Sequence, residues 1–175
     1  DCWEEMTLDY YCGIYGIIKK YQKTEEEEKS ENDLTKYFFH QETKMNKELF
    51  CYMTGIDENM INKISIESIN SVLSCLNEVT KEYVPKNVDY FKFEGDTYYF
   101  PMDFLRTATF GDYIESQQLE MNTSYLKHGR FDIIPEQMAI LCKKVDEEVD
   151  LDNIEEKAKK FRNLTMDIVW EFSFF

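Results

Sequence analysis

The segment 90–100, YFKFEGDTYYF, constrains the fold more than any other part of the chain. Phe91 and Phe93 alternate with charged residues, a Glu-Gly-Asp turn follows, and Tyr98 resumes the alternation. Apolar spacing of period two on both sides of a glycine-containing turn is typical of a two-stranded antiparallel hairpin. Pro101 ends the second strand because it has no N–H for the ladder. The sequence therefore predicts one β-hairpin near residues 90–100.

Most of the remaining chain has the apolar periodicity of amphipathic helices. Several of these segments begin at a residue that caps a helix, such as Thr7, Ser65 or Thr109, and one begins at Pro135. The cleanest apolar stripe lies in the segment that follows Ser65. The predicted helices cover approximately residues 7–21, 33–54, 57–64, 65–79, 109–121, 135–144, 154–161 and 164–172. Residues 33–54 form either one helix or two helices broken near His40. The predicted fold class is mainly α (α+β), with one two-stranded antiparallel hairpin.

Two of the predicted helix starts share a local pattern. Thr7 to Tyr11 reads TLDYY and Thr109 to Tyr113 reads TFGDY, so a capping threonine, an apolar residue and a tyrosine recur at the same spacing. Either an internal duplication or the shared physical chemistry of helix capping accounts for this pattern.

The length of 175 residues fits a single domain, 1–175, that is large enough to bury a core. Residues 23–33, KTEEEEKSEND, contain almost nothing that a core would accept. The sequence predicts a mobile acidic loop at about these residues.

The composition limits the possible partners. There are 35 acidic and 20 basic residues, so the formal net charge is −15. Because a chain this acidic is repelled by phosphate backbones, we expect no direct binding of nucleic acid. The acidic residues form either an ordinary solvated surface or a surface that mimics DNA or binds a basic partner. No apolar run approaches the length of about 20 residues that spans a membrane, so we expect no membrane partner.

The five cysteines are spread along the chain without a CxxC pair. Four of them lie among apolar residues of predicted helices, which favours free, buried thiols in a reducing compartment over disulfides. These four are Cys12, Cys51, Cys75 and Cys142. Two lysines follow Cys142 and would lower the pKa of an exposed thiol, but the apolar surroundings favour a core thiol.

The sequence contains no motif that assembles an active site. It has no glycine-rich phosphate loop, no GxSxG and no HExxH. His40 and His128 have no partners at zinc-ligand spacing, and the acidic run at 146–152 lacks the glycine and final glutamate of a calcium loop. We therefore expect no enzyme activity, no cofactor and no metal.

The aromatic C-terminus contains the candidate binding residues. Four large side chains come from one short helix and its tail, and they cannot all point inward. These are Trp170, Phe172, Phe174 and Phe175. They either close the core of the domain itself or insert into a neighbouring subunit as aromatic anchors, which makes them candidate partner-binding residues.

The order of elements resembles small proteins encoded in the structural gene clusters of tailed bacteriophages, including the crAss-like group. The resemblance rests on an N-terminal WEEMTLDYY, then FKFEGDTYYFPMDF, TFGDYIE and a closing WEFSFF. It implies a non-enzymatic virion-associated or assembly protein of the head, the tail or the packaged cargo. Its partners would be other virion or assembly proteins. The chain would be present in multiple copies in a larger assembly, in the virion or the host cytoplasm. The alternative function is an acidic inhibitor or DNA mimic that binds a host nucleic-acid enzyme.

Overall fold

The computed structural model describes residues 2–22, 34–79, 81–101, 109–121, 129–144, 147 and 151–174. Within these ranges the chain forms nine α-helices, 3-10 turns and one two-stranded antiparallel sheet, which confirms the mainly helical class with a single hairpin. The helices are α1 (Cys2–Glu5), α2 (Leu8–Tyr21), α3 (Leu34–Thr54), α4 (Ile66–Ser74), α5 (Leu76–Val79), α6 (Phe110–Met121), α7 (Ile134–Leu141), α8 (Leu151–Phe161) and α9 (Met166–Ser173). The acidic loop predicted at 23–33 lies outside the described residues.

The hairpin forms where the sequence predicts it, with β1 at Tyr90–Phe93 and β2 at Asp96–Tyr99. The two turn residues, Glu94 and Gly95, have φ of 51° and 89°. Two consecutive positive φ values are the geometry of a type I′ turn, whose twist matches that of the paired strands. Phe91 and Tyr98 face each other across the strands and are both buried, with ring centroids 5.4 Å apart. The alternation of the sequence therefore specifies which face of the hairpin joins the core.

The chain divides into two compact units. The first unit consists of residues 1–12 and 82–175, and the second consists of residues 13–81, so the boundary falls within α2. The single-domain organisation stays a prediction.

The first unit is built around α7. Almost every residue of this short helix is buried, and Pro135 lies in its first turn as predicted, where its missing N–H costs nothing. α7 packs against both α6 and α8. On another side the chain entering α2 pairs with the chain entering α9: Leu8 N donates to the Leu164 carbonyl at 2.8 Å, and Met166 N donates to the Met6 carbonyl at 2.8 Å.

In the second unit, α3 is one continuous helix of 21 residues, which decides between the two alternatives that the sequence left open. Gly55 follows it with a φ of +70°, as expected of a residue that ends a helix. Ser65 caps α4 as predicted, since its hydroxyl accepts a hydrogen bond from Ser68 N at 3.1 Å. The apolar stripe of α4 is not deeply buried, because no residue of α4 is classed as buried and Ile66 is 77% exposed. A clean stripe therefore does not by itself identify a core helix.

Candidate protein–protein interface

Trp170, the first of the four aromatic residues singled out in the sequence, lies in a cluster of four rings in the first unit. Its ring centroid is 5.8 Å from that of Trp3, 6.1 Å from that of Tyr11 and 5.7 Å from that of Phe131. The interplanar angles are 79° to 88°, the edge-to-face arrangement that aromatic pairs favour. Trp170 is half-buried, and its indole Nε1 is buried with no hydrogen-bond acceptor in the described part of the chain. Trp170 thus joins α1, α2 and α9.

The other three C-terminal aromatic residues lie in different environments. Phe172 is buried in α9. Phe174 is 58% exposed, and its ring centroid lies 6.4 Å from that of Tyr83. Phe175 lies outside the described residues. Among the described members of this set, Phe174 is therefore the one that offers most of its ring to a partner, and the partner-binding role of the set stays a prediction.

A buried carboxylate fixes α9 to the segment before the hairpin. Glu171 is buried, and its side chain accepts hydrogen bonds from the Tyr83 hydroxyl at 2.6 Å, from Asn87 N at 3.1 Å and from Lys86 N. Burial raises the pKa of Tyr83, and the hydrogen bond to Glu171 raises it further. Because three donors satisfy one carboxylate, this arrangement orders the chain around residues 83–87 rather than presenting a reactive acid.

A second set of ion pairs surrounds the end of α7. The Lys157 ammonium donates to Glu147 Oε1 and to the Cys142 carbonyl, both at 2.8 Å. Glu147 also accepts from Lys144 N at 2.6 Å. Burial raises the pKa of Glu147, but the hydrogen bonds from Lys157 and from Lys144 N outweigh it, so the pKa is lowered. The carboxylate is charged at neutral pH and holds α8 against the chain that leaves α7.

The hairpin is attached to the same region. Lys144 forms an ion pair of 2.6 Å with Asp96. The ammonium groups of Lys144 and Lys157 lie 5.3 Å and 5.2 Å from the ring centroid of Tyr98, within cation–π range. Tyr99 N donates to the Lys143 carbonyl at 2.8 Å, so the backbone of β2 is also paired on its outer side. These contacts fix the hairpin to α7 and α8.

The thiols are partly as predicted. Cys12 and Cys142 are buried, as expected, whereas Cys51 is half-buried. The expectation of a buried Cys75 is wrong: this residue ends α4 at the surface, because α4 lacks a buried face. Burial raises the pKa of Cys12 to about 11 and raises that of Cys142 more strongly. The core thiol is therefore the correct interpretation of Cys142, and the adjacent lysines do not activate it.

The N-terminus of α6 is firmly held. Thr109 Oγ1 accepts from Asp112 N at 3.2 Å, and Asp112 Oδ2 accepts from Thr109 N at 2.7 Å, which is a reciprocal capping box. The same Asp112 oxygen accepts from the Lys143 ammonium at 2.6 Å. Burial raises the pKa of Asp112, but the hydrogen bonds from Lys143 and Thr109 outweigh it, so the pKa is lowered. The polar side of α6 is thereby attached to the chain after α7.

The apolar side of α6 points outward. Asp112 and Ser116 are buried, whereas Phe110 is 78% exposed and Met121 is 84% exposed. The stripe also contains Tyr113 and Ile114, which are exposed, and the Tyr113 ring centroid lies 6.4 Å from that of Phe110. We call this surface the α6 stripe: Phe110, Tyr113, Ile114 and Met121. Gln117 and Gln118 are exposed as well, so the exposed side of α6 has two amides beside these four large apolar side chains. Large apolar side chains exposed together on one helix present a candidate contact surface.

The sequence predicts this helix at 109–121 but does not identify the α6 stripe. The periodicity shows that Phe110 and Ile114 share one face, and that Asp112 and Ser116 share another. Ordinary patterning then assigns the apolar face to the core. The sequence signal that points to the α6 stripe is the spacing of Thr109 and Asp112. This spacing fits a capping box, which gives Asp112 a local reason to be buried.

The described residues contain no group of three or more His, Cys, Asp or Glu side chains that could hold a metal ion. Among the helices that the structure describes, none combines the length and the apolar character needed to cross a membrane. Comparison with protein-family models, with curated proteins and with solved structures finds no match to this chain.

Proposed function

We propose that this protein is a non-enzymatic structural or assembly component of a tailed bacteriophage and that it acts by protein–protein contact. The observation that carries the contact function is the α6 stripe. Its residues are exposed on a helix whose opposite face is anchored by Asp112 and Lys143. A rigid apolar surface of this kind is typical of a docking site, because apolar side chains that stay in water do not stabilise the fold of the isolated chain.

The phage assignment rests on the resemblance of the ordered segments WEEMTLDYY, FKFEGDTYYFPMDF, TFGDYIE and WEFSFF to phage structural-cluster proteins. Two of these segments provide Phe110 and Phe174, which are the most exposed aromatic residues in the described part of the first unit. The segments that carry the resemblance therefore also contain exposed aromatic side chains that a partner could contact.

The alternative of an acidic DNA mimic finds no specific support on α8. Its exposed Glu155 and Glu156 form ion pairs with Lys159 and Lys160, one turn further along the helix, at 2.7 Å and 3.0 Å. A mimic needs carboxylates whose charge is not neutralised by neighbours. These pairs leave that surface close to neutral.

The test is the protein composition of gradient-purified particles from the phage that encodes this chain, measured by mass spectrometry. We expect the chain to co-purify with head or tail proteins, or with assembly intermediates from lysates taken before the cells burst. A chain that is absent from both fractions would contradict the proposal. So would a purified chain that turns over a substrate.

A further inference from the structure

The α6 stripe has the dimensions of a helix-binding surface. Phe110, Ile114 and Met121 are spaced by four and seven residues, so they lie along one side of the helix, with the exposed Gln117 between Ile114 and Met121. The line is about 16 Å long at the rise of an α-helix. A narrow, convex line of side chains of this length packs best into the groove between the side chains of another helix.

The distribution of charge distinguishes between two kinds of occupant. Residues 1–12 and 82–175, the first unit, contain 23 acidic and 11 basic residues, so this unit has most of the net negative charge of the chain. α6 itself, FGDYIESQQLEM, has no lysine or arginine. Two copies that met at the α6 stripe would bring together two units of the same net negative charge, which opposes association.

We infer that the α6 stripe binds a helical segment of another protein, whose apolar stripe is bordered by lysine or arginine. This inference rests on the proposed contact function and specifies the chemistry of the partner. The apolar side chains of the segment would cover Phe110, Ile114 and Met121. Its basic residues would be attracted by the net negative charge of the first unit, which steers the encounter and selects against acidic partners.

The experiment uses the full chain and two synthetic peptides, with binding measured by fluorescence anisotropy. The first peptide is an amphipathic helix of about 18 residues, long enough to cover the stripe, with leucines on one face and lysines bordering them. In the second peptide every lysine is replaced by glutamate. We expect the lysine peptide to bind at least about tenfold more tightly than the glutamate peptide, with an affinity that falls as salt is added.

Two variants test whether the stripe is the site. The double substitution Phe110→Ser with Met121→Ser should weaken binding of the lysine peptide at least about tenfold, because it removes two apolar anchors. The matched control is Ile66→Ser, which changes an equally exposed apolar residue, 77% exposed, on a helix of the second unit. This control should leave binding unchanged. Circular dichroism establishes that each variant is folded.

Several results would overturn the inference. Equal binding of the two peptides would refute the charge argument, and no binding of the lysine peptide, or undiminished binding by the double variant, would refute the site. A dimer that sedimentation detects and the double variant abolishes would also overturn the inference, because the occupant would then be a second copy. The particle measurement separates these failures from failure of the proposed function, because a chain can be present in particles while the lysine peptide does not bind.

Discussion

The beginnings of α2 and α6 have the same local pattern but opposite surroundings. In both, a threonine hydroxyl accepts a hydrogen bond from the backbone N–H three residues later, at 3.3 Å for Thr7 and at 3.2 Å for Thr109. Yet the next residue is fully buried in α2, where Leu8 is 0% exposed, and is largely exposed in α6, where it is Phe110. Local capping therefore specifies where a helix begins, whereas the rest of the fold specifies which side faces the core.

The largest change in stability is expected when the residue after the capping threonine is replaced by alanine, and the two helices should differ in this change. We expect Leu8→Ala to lower the free energy of unfolding by about 3 kcal/mol, because it leaves a cavity at a fully buried position. Phe110→Ala should change it by less than about 0.5 kcal/mol, because the ring is exposed. Urea unfolding followed by tryptophan fluorescence reports on the first unit, since both tryptophans, Trp3 and Trp170, belong to it. Equal losses for the two variants would show that Phe110 is part of the core.

The next test concerns the buried polar side of α6. Asp112→Ala removes the partner of Lys143, whose side chain is only 15% exposed, and should lower the free energy of unfolding by about 3 kcal/mol. The double variant Asp112→Ala with Lys143→Met should recover part of this loss, because no ammonium is then left without a partner. If the double variant is no more stable than Asp112→Ala, the ion pair does not hold α6 in place.

The same carboxylate predicts a pH dependence. The pKa of Asp112 is lowered in the folded protein, so its stabilising effect is present above the ordinary pKa of aspartate and is lost as the pH falls through the folded value. Below about pH 4 the wild type should therefore lose more stability than Asp112→Asn, which has no charge to titrate at this position. Unfolding curves of the two proteins measured at neutral and acidic pH check this. Parallel loss in both proteins would assign the acid sensitivity to other groups.

A smaller loss of stability, equal at the two sites, is expected at the helix caps. Thr7→Ala and Thr109→Ala should each lower the free energy of unfolding by about 1 kcal/mol, because each removes one hydrogen bond to an N-terminal backbone N–H. The corresponding serine variants keep the hydroxyl and should recover most of the loss. If the two alanine variants differ widely, the shared sequence pattern does not reflect shared capping.

The smallest net effect is expected further along α2, at Gly13. A Cβ at this position would lie 2.0 Å from the Tyr52 hydroxyl oxygen, so the tyrosine ring must move aside in Gly13→Ala. This cost opposes the gain of about 1 kcal/mol in helix propensity, so the net change in the free energy of unfolding should be only about a few tenths of a kcal/mol. In a Tyr52→Ala background the same substitution should be stabilising by about 1 kcal/mol. Thermal unfolding of the wild type, the two single variants and the double variant tests the close approach, and additive effects would contradict it.

Most of the secondary structure could be predicted from the sequence, because it depends on local chemistry. The alternation around Gly95 specifies the hairpin, Ser65 and Thr109 specify helix starts, and Pro135 specifies the first turn of α7. The candidate contact surface was less predictable. The sequence predicts Trp170 and Phe172 among the partner-binding residues, and this role stays a prediction. The structure places Trp170 in a ring cluster and Phe172 in the interior, and it shows Phe110 and Met121 at the surface.

By itself the sequence determined the acidic charge, the helical periodicity and the turn and cap positions, since each depends on residues that are close along the chain. Only the tertiary structure decided which face of each helix is buried. The reason is that Asp112 becomes a core residue through Lys143, and Glu171 through Tyr83 and Asn87, which are distant in sequence. Where such long-range donors satisfy a carboxylate, the polar face can turn inward and leave the apolar face at the surface.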